Sequence, residues 1–219
     1  MTALRAQPFA PAPASRPLPP VRPVRSLAPR AALFREGDRA SHVFEVVSGT
    51  LRQTRLLECG RRQVVAFAHP GDMVGFPADG AHHADCEALT AVTVIAHPRA
   101  ALDGAGGEPD LHRRLHGAAL REIARLQDHL LLLARKGAVG KLASFLGDLA
   151  DRHGAPCADG TALDLEMPRT DIADYLCLTI ETVSRTLTRM CDEGVLRREG
   201  TSRLVVTDRD GLGDMARGE

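Results

Sequence analysis

Between residues 33 and about 98 the chain carries short apolar runs, HVFEVV, TLRQTRLL, QVVAFA and ALTAVTVIA, separated by turns that contain glycine. Runs of this length, rich in β-branched residues and bounded by glycine, predict β-strands. Gly37, Gly49, Gly60 and Gly71 recur at intervals of 12, 11 and 11 residues, as expected where successive strand pairs turn corners that glycine alone tolerates. The pattern predicts a compact antiparallel roll. Between residues 109 and 136 the period changes: Leu111, Leu115, Ala119, Ile123, Leu126, Leu130 and Leu133 step by three or four and fall on one helical stripe. A helix of about 27 residues is roughly 40 Å long, more than one small roll covers. The part of the stripe running through Leu115, Ala119, Ile123, Leu126, Leu130 and Leu133 is therefore expected to face a second copy in a homodimer. The alternative is a helix packed wholly within its own subunit. A second helix over 139–152, a Gly/Pro/Asp loop over 153–160 and a compact unit over 161–207 complete the pattern.

Within that last unit, residues 169–190, RTDIADYLCLTIETVSRTLTRM, read as two short helices joined by a tight turn at Cys177 and Leu178. Ile172, Ala173 and Leu176 supply the inner face of the first helix, and Val183 and Leu187 that of the second. Thr179 is placed to cap the second helix, its hydroxyl accepting an amide of the first turn. Glu181, Ser184 and Arg185 then share one outward face, three and four positions apart. This is the helix-turn-helix pattern, whose second helix enters the major groove of duplex DNA. Arginine binds guanine O6 and N7 bidentately, glutamate accepts from cytosine N4, and serine reaches either kind of edge. Taken alone, the same face also reads as a solvated surface with a Glu181–Arg185 ion pair. The residues that follow, GVLRREGTSRLVV, give two strands around a Glu-Gly-Thr-Ser turn, the wing of a winged helix-turn-helix. Thr179, Thr182, Arg169, Arg189, Arg197, Arg198 and Arg203 are the candidate phosphate contacts, which position a protein on DNA without reading sequence.

Length and composition narrow the class. A chain of 219 residues holds about two domains of roughly 100 residues each. No apolar run approaches the roughly 20 residues of a membrane span, and the first residues lack the apolar core of a secretory signal, so a cytoplasmic protein is expected. The five cysteines, Cys59, Cys86, Cys157, Cys177 and Cys191, are irregularly spaced with no CxxC pair, which suits reduced thiols and gives no sign of structural zinc. The formal net charge is zero, so any polyanion must be met by a local patch. Residues 161–209 hold nine acidic and seven basic side chains, and nonspecific affinity should be modest. Residues 1–30 contain eight of the fourteen prolines and five arginines. They read as a disordered tail, or as a basic arm.

The order of parts resembles the Crp/Fnr superfamily of bacterial regulators over about residues 30–210. The likeness is carried by PGDMVGF at 70–76 and most closely by DIADYL at 171–176 with LTIETVSR at 178–185. Glu-x-x-Ser-Arg is similar to the Fnr and FixK branch. That resemblance implies an α+β fold: a disordered tail over 1–30, a cyclic-nucleotide-binding-like β-roll over 31–108, a dimerisation helix over 109–136 and a winged helix-turn-helix over 137–219. It also implies a homodimer on a TTGA-N6-TCAA type palindrome in double-stranded DNA, with Glu181, Ser184 and Arg185 reading bases and RNA polymerase as partner. The turn residue Cys177 stands where the resemblance leads one to expect glycine. Its thiol, with Cys191 at the end of the reading helix, is a candidate redox group near the DNA face.

Other departures bear on cofactors. Fnr-type oxygen sensors hold an iron–sulfur centre with N-terminal cysteines and one in the roll. Here no cysteine precedes Cys59, and Ile95 falls at the roll position. The cyclic-nucleotide branch uses a Gly-Glu and an Arg-Ser/Thr pair, and the corresponding positions look like Gly71-Asp72 and His82-His83, which leaves a phosphate without its arginine. No cofactor is therefore expected. A ligand-, metal- or haem-sensing roll built on His82, His83, Asp85, Cys86 and His97 is the alternative, although their spacing matches no recognisable ligand set. An enzyme of the roll or cupin type is not supported, because no nucleophile, base and orienting group can be assembled.

Overall fold

The computed structural model describes residues 22–76, 79–102 and 108–218. Its N-terminal part is a roll of two four-stranded antiparallel sheets. One has the order β1-β8-β3-β6, from β1 (Val24–Leu27), β8 (Val92–Pro98), β3 (His42–Ser48) and β6 (Met73–Val74). The other has the order β2-β7-β4-β5, from β2 (Ala32–Phe34), β7 (Asp85–Ala88), β4 (Leu51–Leu56) and β5 (Arg62–Ala68). Alternate residues of the facing strands, among them Phe44, Val46, Leu51, Cys86, Ala88, Val92 and Val94, close one apolar core. The four corner glycines, Gly37, Gly49, Gly60 and Gly71, all have positive φ, between 76° and 91°. Gly49 is the least replaceable, because a Cβ there would lie 2.2 Å from the Ala91 carbonyl oxygen.

The roll begins earlier than the apolar pattern indicates. Residues 1–21 of the expected tail lie outside the described residues, but Val24–Leu27 pairs antiparallel with β8, Val24 opposite Ile95. This edge strand is nearly all exposed, so no alternation of buried positions marks it in the sequence.

Helix α1 (Pro109–Arg135) leaves the roll and α2 (Ala138–His153) follows after two extended residues. The stripe on α1 divides. Leu111, Leu115 and Ala118 pack on Val43, Met73 and Ala101 of their own subunit, and Leu115 is fully buried, so its expected place in a dimer interface is corrected. The first half of α1 packs on the roll through an apolar cluster separate from the roll core. Further on, Ile123, Leu126 and Leu130 are 53%, 51% and 66% exposed, while Ala119 and Leu133 are half-buried.

The C-terminal unit adds β9 (Ala155–Cys157), β10 (Gly160–Asp164), α3 (Arg169–Leu176), α4 (Ile180–Asp192), β11 (Leu196–Glu199), β12 (Arg203–Val206) and α5 (Arg209–Arg217). Its sheet has the order β11-β12-β10-β9. Leu142, Leu146, Leu149, Ile172, Leu176, Val183, Leu187, Met190 and Leu212 form its core, and Phe67 of the roll packs against it. Among the described residues, no helix is long and apolar enough to cross a membrane.

Candidate DNA-reading interface

The turn between α3 and α4 is built by the backbone. Cys177 adopts φ 52° and ψ 49°, the left-handed conformation expected of a glycine. Leu178 N–H donates to the Ala173 carbonyl at 2.9 Å and Cys177 N–H to that of Asp174 at 3.3 Å, the paired bonds of a Schellman end. Thr179 then caps α4, its Oγ1 accepting the Thr182 N–H at 3.2 Å. Val183 and Leu187 are buried, with Thr186 and Met190 beside them, and this anchors one face of α4 and turns the opposite one outward.

On that outward face Glu181 and Arg185 are exposed and Ser184 is half-exposed. The Glu181 carboxyl is held below the usual range by its own backbone amide and by the Thr179 hydroxyl, with Arg185 adding a weaker pull. It is therefore an anionic acceptor at neutral pH. Ile180 was missed in the sequence reading. It opens α4, is 44% exposed, and offers an aliphatic surface beside Glu181. An apolar residue at a helix start next to a polar face is the signal that marks it.

The candidate phosphate contacts fall into two groups. Arg169, at the start of α3, and Arg198, on β11, line one cleft of about 350 Å³ between α3 and the wing. Arg198 also donates to Thr188 Oγ1 at 3.0 Å, tying the wing to α4. The others are engaged nearby. Arg189 pairs with Glu193 at 2.6 Å, Arg197 with Glu199 at 2.7 Å and Asp159 at 2.9 Å, and Arg203 with Glu199 at 3.3 Å. The hydroxyls of Thr179 and Thr182 lie 3.0 Å apart within the cap. Cys177 is exposed, Cys191 is half-buried at the far end of α4, and all five thiols are free.

This geometry is matched by known proteins. A Crp-like helix-turn-helix domain family matches residues 140–215 and a cyclic nucleotide-binding domain family matches residues 24–105. The nitrogen fixation regulation protein FixK of Azorhizobium caulinodans is 40% identical over 187 residues, 84% of this chain and 75% of that protein. FixK of Rhizobium meliloti is 41% identical over 186 residues, 85% of this chain and 82% of that protein. The chain belongs to the Crp/Fnr family of transcription regulators. Within that family its fold superimposes on FixK2 from Bradyrhizobium japonicum with a TM-score of 0.80 at 34% identity, covering 89% of this chain and 97% of that one. As a Crp/Fnr regulator it carries a DNA-binding helix-turn-helix, and α3 and α4 are its two helices.

In the roll, the residues set by resemblance against the cyclic-nucleotide positions are engaged within the protein. Asp72 is buried and holds Arg125 of α1 at 2.7 Å and Arg152 of α2 at 3.5 Å, so its carboxylate faces two helices. The His82 ring stacks on Phe34 with centroids 3.7 Å apart. The five residues weighed as a metal or haem site do not converge. His83 pairs with Asp79, Asp85 accepts the Glu36 amide, Cys86 is sealed in the roll core, and His97 sits between Arg22 and Glu45.

Proposed function

We propose that this Crp/Fnr regulator acts in the cytoplasm as a homodimer that reads a TTGA-N6-TCAA type palindrome and contacts RNA polymerase, without cyclic nucleotide, iron–sulfur cluster or other cofactor. The observation that carries this reading is the outward face of α4, where Glu181, Ser184 and Arg185 stand together on a helix pinned by the Thr179 cap. Glu181 and Arg185 reach the two bases of one G·C pair or neighbouring pairs, Ser184 a flanking base, and Ile180 the methyl group of thymine. Arg169 and Arg198 meet phosphate at the cleft between α3 and the wing, and Thr179, Thr182, Arg189, Arg197 and Arg203 are the further phosphate contacts, the charges of these three arginines being partly engaged by neighbours. The partner copy covers the exposed row of Ile123, Leu126 and Leu130, with Ala119 and Leu133 at its margins. The ligand-free state is supported by the engagement of Asp72 and His82 inside the protein. The test is binding of purified protein to duplexes carrying the palindrome, at fixed salt, with and without cyclic AMP. Tight binding without the nucleotide is expected, and binding that appeared only with it would overturn this reading of the roll.

A further inference from the structure

The reading head is attached to α1 by a tether too slight to aim it. Lys136 and Gly137 are both extended, with φ and ψ of −100° and 142° and of −71° and 175°, and a Cβ added at Gly137 would meet nothing within 4 Å. Something else must fix the angle between the roll and α3. Part of it is apolar, since the Phe67 ring of β5 lies 5.3 Å from that of Tyr175 and 6.3 Å from that of Phe145. Such contacts favour closeness without setting direction.

Direction comes from polar bonds: Thr50 donates to Glu166, Asp72 holds Arg152 of α2, and the α3 helix itself is gripped through Asp171. Asp171, in the first turn of α3, has a side chain only 1% exposed. One of its carboxylate oxygens accepts from Arg52 of β4, and the other accepts from Arg62 of β5 at 2.6 Å. Arg62 also reaches Asp174 at 3.2 Å, Gln63 donates to the Asp174 carbonyl, and Arg52 is steadied by Glu87 of β7 at 3.3 Å. Two charge-assisted bonds from two neighbouring strands to one buried carboxylate fix both the position and the rotation of α3. The Schellman turn and shared core make α4 follow α3 as one body, and the face with Glu181 and Arg185 stays open to solvent.

We propose that Arg52 and Arg62 of the roll are positioning residues for DNA recognition: by gripping Asp171 they set the pose of the reading helix and hence the half-site spacing the dimer accepts. The inference rests on the dimeric, palindrome-reading function proposed above. Two reading helices must enter grooves about 34 Å apart, so rotation of either head about the Lys136–Gly137 tether changes the spacing that fits.

The experiment compares full-length wild type, Arg62→Gln and the double variant Arg52→Gln/Arg62→Gln on TTGA-Nx-TCAA duplexes with spacers of five, six and seven base pairs, and on a single half-site. Circular dichroism and melting temperature are recorded for each. The double variant is expected to lose about tenfold in affinity for the six-base-pair spacer and to lower its preference over the other spacers to about twofold, with half-site affinity unchanged. A folded variant that kept the wild-type spacer preference would overturn the proposal. So would an equal loss on the half-site, which would place the arginines on DNA or in support of the reading domain itself. If the double variant does not fold, Arg62→Gln, which leaves Asp171 paired with Arg52, decides by the same comparison. If wild type prefers another sequence, the spacer series is rebuilt on the site it selects from random duplexes. Selection of no two-fold site at all would show in the wild type, and would overturn the functional reading together with this one.

Discussion

Leu115 and Ile123 lie two turns apart on one helix, yet Leu115 is fully buried against its own roll while Ile123 is 53% exposed. Opposite consequences follow from replacing them. Leu115→Ala should cost roughly 2–5 kcal/mol of stability, as large-to-small changes in cores do, and leave association unchanged. Ile123→Glu should alter stability little in the monomer, shift the dimer toward monomer, and weaken binding to the full palindrome. Sedimentation and urea melts separate the two, and an Ile123→Glu protein that remained dimeric would remove this face from the interface.

Arg185 and Arg169 should fail in different ways. Arg185→Ala is expected to lose on the order of 1–3 kcal/mol and to relax preference at one guanine per half-site. Arg169→Ala should weaken all sequences alike and reduce the salt slope by about one per protomer. Binding to a panel of single-base variants at several salt concentrations distinguishes them, and an equal loss across the panel for Arg185→Ala would take that residue off the base edges.

Cys177 is held at φ 52°, where a side chain other than glycine is strained. Cys177→Gly should stabilise the protein by about 0.5–1 kcal/mol, the relief of strain exceeding the greater freedom gained by the unfolded chain. The same exposed thiol stands three residues before the start of α4. Peroxide that carries it to sulfinate or sulfonate would set negative charge beside the phosphates and lower affinity for every sequence. The glycine variant should resist peroxide. If both proteins lost DNA binding equally, attention would move to Cys191.

Acid should loosen the seam between the domains. The rings of His69 and His153 lie 4.4 Å apart, and burial, followed by the charges of His153 and Arg152, lowers the His69 pKa to about 4. An imidazole in the unfolded chain titrates near 6.5. Between these values the unfolded chain binds a proton that the folded chain refuses. Stability is therefore full above about pH 6.5 and falls as pH descends toward 4, by on the order of 3 kcal/mol. Urea melts of wild type and His69→Gln at pH 7 and pH 4.5 test this, and the variant should show the shallower fall. Equal slopes would assign the acid sensitivity to other groups.

The parts of this molecule legible in its sequence are those that local physics determines. The strands at β3, β4, β5 and β8 announce themselves by apolar runs, and their corners by glycine. The Thr179 cap follows from that residue and its neighbours, whereas the left-handed turn at Cys177 was legible only through the family resemblance, because cysteine itself does not mark positive φ. What escaped reading depends on partners far away in the chain. Strand β1 is a largely exposed edge, tied by backbone pairing to β8 and by Leu27 and Arg25 reaching residues distant in the chain. Helix α5 is short, polar on most faces, and buries mainly Leu212. The stripe on α1 has the same period whether it meets its own roll or another copy, so periodicity could not assign Leu115. The grip on Asp171 joins side chains more than a hundred residues apart, beyond the reach of any local pattern.

Cys86 lies at the centre of the roll with no exposed surface, and burial pushes its thiol well above the ordinary range, whereas Cys177 stands in solvent on the reading head. The five free thiols thus include one slow chemical clock, Cys86, whose peptide can be followed apart from the others. A mild alkylating reagent should mark Cys177 and the exposed Cys59 of the β4–β5 turn at once, and Cys86 only at the rate at which the sheets of the roll part. A single labelling time course therefore reports how often the roll breathes, separately from anything the DNA-binding end is doing.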